Sequence, residues 1–140
     1  MNREQIIEFI NKNRVCYLAT CEARQPRVRG MLAYKADEDG ILFHTGRSKD
    51  LCKQIVANRH VELCCFDAGT NVQVRITGKT QIIENLDLKK QIVKDRPFLQ
   101  PIVEQAGYDV LVVFRVTDCE AVVWTFATNL DPKRPIRLSS

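Results

Sequence analysis

Apolar residues recur along this chain with two periods, and the changes between them sketch the fold. Ile6, Ile7, Phe9 and Ile10 fall at helical spacing behind Asn2, and Asn13 is the expected stop. Val15–Thr20 (VCYLAT) then reads as a strand, and Glu22-Ala23-Arg24-Gln25 as a turn. Pro26–Lys35 (PRVRGMLAYK) alternates polar and apolar side chains, as a half-buried strand does. Asp37-Glu38-Asp39-Gly40 predicts a hairpin connection, with Gly40 free to take a positive φ, and Ile41–Thr45 predicts the returning strand. Ser48 is the expected N-cap of a helix that carries Leu51, Cys52, Ile55 and Val56 on one face and ends near Asn58. Val61–Phe66 and Val72–Ile83 predict strands on either side of an Asp67–Thr70 turn, with Gly78 marking a bulge or bend. Asp87–Lys94 predicts a helix, and Pro97 and Pro101 bracket a second, short one. Two last strands, Val110–Val116 and Ala121–Phe126, are expected to join near Asp118.

These elements amount to six or seven strands, most of them joined by short turns, with a helix inserted after the third. That order predicts a mainly β, α+β domain: an antiparallel barrel with flanking helices. A parallel doubly wound sheet is excluded, because strands and helices do not alternate regularly and no glycine-rich turn follows the first strand. Residues 1–128 form the predicted domain. Residues 129–140 form a polar, basic tail with Pro132 and Pro135, either loose or reaching a partner subunit.

Composition narrows the function. No apolar run reaches the length of a membrane helix, and the charged start Asn2-Arg3-Glu4-Gln5 does not read as a secretion signal, so a cytoplasmic protein is expected. None of the six cysteines forms a Cys-x-x-Cys pair and there are only two histidines, so no metal site is expected and the thiols read as reduced. The net charge of +4 suits a small anionic ligand and does not by itself mark a nucleic-acid binder.

One stretch stands out. Phe43-His44-Thr45-Gly46-Arg47-Ser48-Lys49 places two cations and a hydroxyl where a helix begins, although the positive end of the helix dipole disfavours cations. Arg27 and Arg29 share one face of the preceding strand, and Gln73 and Arg75 share a face of the long strand. If the second and third strands form a hairpin, Arg29 and Lys49 approach one point beside free helix N–H groups, which is chemistry for a phosphate. The alternative is a solvated strand face. No Ser-His-Asp or Cys-His arrangement and no carboxylate pair can be argued, so the catalytic residues are unassigned.

The runs VCYLAT, PRVRGMLAY, GILFHTGRSKDLCKQIVANRHVELCCF, NVQVRITGK and AVVWTF, in that order and spacing, resemble the pyridoxamine 5′-phosphate oxidase-like family of FMN-binding split barrels. The resemblance spans roughly residues 3 to 127 and implies a homodimer with FMN at the subunit interface. It implies that Arg29 and Lys49 hold the FMN phosphate with Ser48 beside them. His44 and Thr45 would lie along the flavin edge, Met31 on the strand lining the ring, Gln73 facing the flavin, and Trp124 approaching it across the interface. Arg27 and Arg47 would be helpers. Two features depart from the authentic oxidase. No Arg-x-His element follows Trp124, and Tyr34 stands where the oxidase has a phosphate-binding lysine. The resemblance therefore points to the short branch of the family and to an FMN-dependent oxidoreductase acting on a small molecule. The alternative is a flavin-binding or storage protein without turnover, and relatives of this fold also take deazaflavin or haem. A single-stranded nucleic-acid binder would need exposed stacking aromatics, which are few here.

Overall fold

A computed structural model describes residues 1–139. The chain opens on α1 (Arg3–Lys12), fixed at its start by a reciprocal cap. The Asn2 side chain accepts from the Gln5 backbone N–H at 2.8 Å, and the Gln5 side chain accepts from Asn2 N–H at 2.8 Å. Strand β1 (Val15–Glu22) turns through Ala23 into β2 (Gln25–Leu32). Strands β3 (Lys35–Asp37) and β4 (Gly40–Gly46) form the next hairpin. Gly40 sits at φ +135°, and a Cβ there would collide with the Val116 carbonyl oxygen, so only glycine serves. Helix α2 (Asp50–Ala57), β5 (His60–Asp67), β6 (Val72–Ile83), α3 (Leu86–Asp95), α4 (Gln100–Ala106), β7 (Leu111–Trp124) and β8 (Ile136–Arg137) follow.

The strands form one antiparallel sheet in the order β2-β1-β5-β6-β7-β4-β3, with β8 on β7. This is the antiparallel split barrel with flanking helices that the sequence predicts, with eight strands in place of six or seven. Three differences account for the count. The predicted strand Pro26–Lys35 is divided at Ala33 and Tyr34, where Ala33 N–H donates to Arg14 O and Tyr34 N–H donates to Leu42 O, both at 2.8 Å. One short crossing thereby ties the two edges of the sheet together. The two predicted last strands are one strand, β7, in which Asp118 takes φ 54° and the pairing continues past it. The register shift opposite falls at Gly78, the expected bulge. A Cβ there would stand 2.6 Å from the Val116 side chain and 2.7 Å from the Thr117 carbonyl oxygen. The third difference is β8: Ile136 and Arg137 pair with Ala121 and Glu120, and Leu138 enters the core.

Strand β4 is buried on both faces because it lies between two cores. Inside the barrel, Phe43 stacks on Phe114 at 5.4 Å among Leu18, Ile55, Leu63 and Ile76, with Ile6 and Ile10 of α1. Outside it, Leu42 and Val113 pack against Ile92 and Val93 of α3 and Val103 of α4. This second core presses the end of α3, and with it Arg96, against the closure at Leu32–Ala33.

Candidate functional site

A cavity of about 530 Å³ opens where the ends of β2 and β4 meet the start of α2. It is lined by Arg29, Gly30, Met31, His44, Thr45, Ser48, Lys49, Asp50 and Leu51. Six residues singled out in the sequence are brought together here: Arg29, Met31, His44, Thr45, Ser48 and Lys49. The expected hairpin forms at its turn, where β3 pairs with β4, but it does not extend to the part of the predicted strand that carries Arg29. β2 pairs with β1, while β3 pairs with β4, and it is barrel closure that brings β2 and β4 to one opening.

Arg29 is set from behind. Its guanidinium donates to Leu18 O at 3.2 Å, Thr20 Oγ1 at 2.8 Å and Gln54 Oε1 at 2.5 Å, and Thr20 and Gln54 are themselves buried. Burial lowers the Arg29 pKa, and the Asp50 carboxylate works in the opposite direction. Gln54 passes the network on to Glu22 at 3.2 Å, and Glu22 holds Arg27 at 3.1 Å. Arg27 is therefore tied to a carboxylate outside the cavity. Arg47 also turns away, to Asp109 O at 2.7 Å and to Glu84 at 3.5 Å.

Lys49, rather than Ser48, is the N-cap of α2, and no side chain caps this helix. Ser48 lies in the turn before it, closed by Lys49 N–H donating to Gly46 O at 3.1 Å. Among the described residues, neither the Lys49 ammonium nor the Ser48 hydroxyl has a protein partner. A free cation, a free hydroxyl and uncapped helix N–H groups therefore share one cavity with Arg29, an arrangement suited to a phosphate monoester.

His44 lines the same cavity. Arg96 donates to its Nε2 at 2.8 Å. Burial foremost, then the Arg96 and Lys49 charges, push the His44 pKa down to about 4, so the ring is neutral near pH 7. Arg96 was not legible in the sequence: it follows α3 just before Pro97, and no spacing links it to β4. Thr20 and Gln54 were equally hidden, one in an apolar strand run and the other on a helix read only for its apolar face.

Behind Arg96 lies a second cavity of about 590 Å³, lined by Asn11, Arg14, Leu32, Tyr34, Lys35, Asp95 and Arg96. Gln73 and Trp124 line neither cavity. They are cross-strand partners at the far ends of β6 and β7. Gln73 Oε1 accepts from the Cys64 thiol at 3.0 Å, and Trp124 Nε1 donates to Asn129 Oδ1 at 2.6 Å.

The family model described as pyridoxamine 5′-phosphate oxidase matches residues 3–122. Solved structures share the fold. A NimC/NimA family protein from Clostridium acetobutylicum superposes with a TM-score of 0.78 at 21% identity, over 96% of this chain and 91% of that one. A pyridoxamine 5′-phosphate oxidase-related, FMN-binding protein from Nostoc punctiforme gives 0.60 at 15% identity, over 95% and 88%. An FAD-binding protein from Mesorhizobium loti gives 0.60 at 15%, over 89% and 96%. No curated protein matches the sequence.

Proposed function

The chain belongs to the pyridoxamine 5′-phosphate oxidase family, and on that premise we propose that it binds FMN and is an FMN-dependent oxidoreductase acting on a small molecule. The observation that carries this reading is that the Lys49 ammonium and Ser48 hydroxyl, without a protein partner among the described residues, line one cavity with Arg29 at an uncapped helix start. The donor set fits a phosphate monoester. Arg29 and Lys49 would hold the phosphate with Ser48, while Met31, His44 and Thr45 would lie along the ring. A bound flavin supplies hydride or single-electron transfer, which asks no general base of the protein.

We further propose that two copies pair, so that Gln73 and Trp124 of one reach the cavity of the other. Supporting this is the apolar outer face of the sheet, where Val15, Tyr17, Val28, Leu32 and Phe66 are all exposed. The described residues include no helix long and apolar enough to cross a membrane. A second reading, flavin binding without turnover, would use the same residues.

The test is a visible absorbance spectrum of the purified protein, with the released ligand identified by mass. Twin flavin bands and the FMN mass are the expected result, whereas an FAD mass would replace the assigned cofactor. A colourless protein that takes up no added FMN would sink the reading. Steady-state electron transfer from NADH or NADPH separates turnover from storage.

A further inference from the structure

We infer that Arg96 is a positioning residue that holds His44 as the neutral Nδ1–H tautomer, so that the cavity offers its ligand a hydrogen-bond donor at this point and not a base. The inference rests on the flavin reading only for the ligand's identity: the acceptor would be a carbonyl oxygen or ring nitrogen on the edge of the flavin.

The geometry leaves the imidazole little choice. A guanidinium carries N–H donors and no acceptor. A 2.8 Å contact between Arg96 and His44 Nε2 therefore puts an arginine N–H against the Nε2 lone pair. An imidazolium has no lone pair to offer, so the ring is neutral and its one proton sits on Nδ1. Arg96 cannot swing away to allow the other tautomer. The same fork donates to Leu32 O at 3.0 Å and to Ala33 O at 2.6 Å, and it lies 5.3 Å from the centre of the Tyr34 ring. Tyr34 is fixed in turn by its hydroxyl, which donates to Asp95 at 2.5 Å. Burial is the largest influence on His44, followed by the charges of Arg96, at the end of α3, and Lys49, at the start of α2, and all three oppose a second proton on the ring. Within the described residues no protein acceptor meets Nδ1, and His44 lines the cavity. Its one remaining polar atom is thus left for a ligand.

The deciding measurement is ¹⁵N NMR of the wild-type protein labelled at histidine. With only His44 and His60 in the chain, a His60→Gln variant assigns the signals. At pH 6 we expect His44 to show a protonated Nδ1 and an unprotonated Nε2. An Nε2–H tautomer, or an imidazolium, at His44 overturns the inference whether or not the protein binds flavin. Arg96→Met should release the ring into a mixture of tautomers; should that variant not fold, the wild-type spectrum still decides. Adding FMN should move the Nδ1–H proton resonance. If FMN binds and that resonance stays still, the donor does not serve the ligand and the second half of the inference falls. If FMN does not bind, the functional reading fails while the tautomer result stands alone.

Discussion

The two cavities on either side of Arg96 have similar volumes, about 530 and 590 Å³, and both are lined by cations. They differ in what those cations already hold. In the larger, Arg14 donates to Tyr34 O, Lys35 lies 3.7 Å from Asp37, and Arg96 serves two carbonyls and His44. In the smaller, Lys49 and Ser48 have no protein partner among the described residues, and Arg29 is braced from behind by Thr20 and Gln54 so that it borders the opening. Size and charge alone would favour neither. Free donors on a braced frame are what mark a binding site, because a donor already satisfied gains little by changing partner.

The contrast can be broken by mutation. The largest effect should come from Arg96→Met. It strips Leu32 O and His44 Nε2 of their donor and leaves Ala33 O only a long bond from Arg14, and at about 1–3 kcal/mol for each group left unpaired the loss should be about 3 kcal/mol in denaturant unfolding. A loss within noise would mean that this fork is not structural. Next, Lys49→Ala should weaken FMN by about ten- to hundredfold, on the order of 1.5–3 kcal/mol for a charge-assisted bond, with riboflavin affinity and stability unchanged. Equal losses for both ligands would show that Lys49 supports the fold instead.

A third effect is pH-dependent. The His44 pKa lies at about 4 in the folded chain against an ordinary 6.5, so the unfolded chain binds the extra proton between those values. Stability is fully held above pH 6.5 and declines as pH falls towards 4. The His44→Gln variant should lack this term, and across that window wild type should lose about 2 kcal/mol more than it, after allowance for partial exposure. Parallel profiles would refute the assignment. The smallest effect is Lys35→Ala, whose exposed pair with Asp37 is worth under about 0.5 kcal/mol. It should leave FMN binding untouched, and a drop like that of Lys49→Ala would place phosphate in the second cavity.

Much of this was legible in the sequence, because period-two and helical patterns follow which face is buried. The rest was hidden for physical reasons. The break at Ala33–Tyr34 is invisible because Met31-Leu32-Ala33-Tyr34 is one apolar run that continues through the point where the chain changes partner strands. Asp118 reads as a joint because it is polar between two apolar runs, yet one residue at positive φ bends a strand without ending it. Ser48 is the better cap by type, but a turn closing on Gly46 uses it up and the helix starts one residue later. Arg29 and Lys49 could be named because local spacing exposes them. Arg96, Gln54 and Thr20 act through tertiary contacts between distant segments, and no local pattern records these.

The crossing at Ala33–Tyr34 also sets an order of events during synthesis. The β1–β2 and β3–β4 hairpins are local and can form as soon as they leave the ribosome. The crossing joins them locally, but the sheet closes around the cavity only later: β4 gains its other neighbour when β7 arrives, with Ile41 pairing to Val116. Such distant pairings are slow, because the loop must be closed before the contact repays it. Every residue that lines the cavity has therefore been translated well before the frame around it exists. A nascent chain stalled short of β7 should hold no ligand, and ligand capture would report that the barrel has closed.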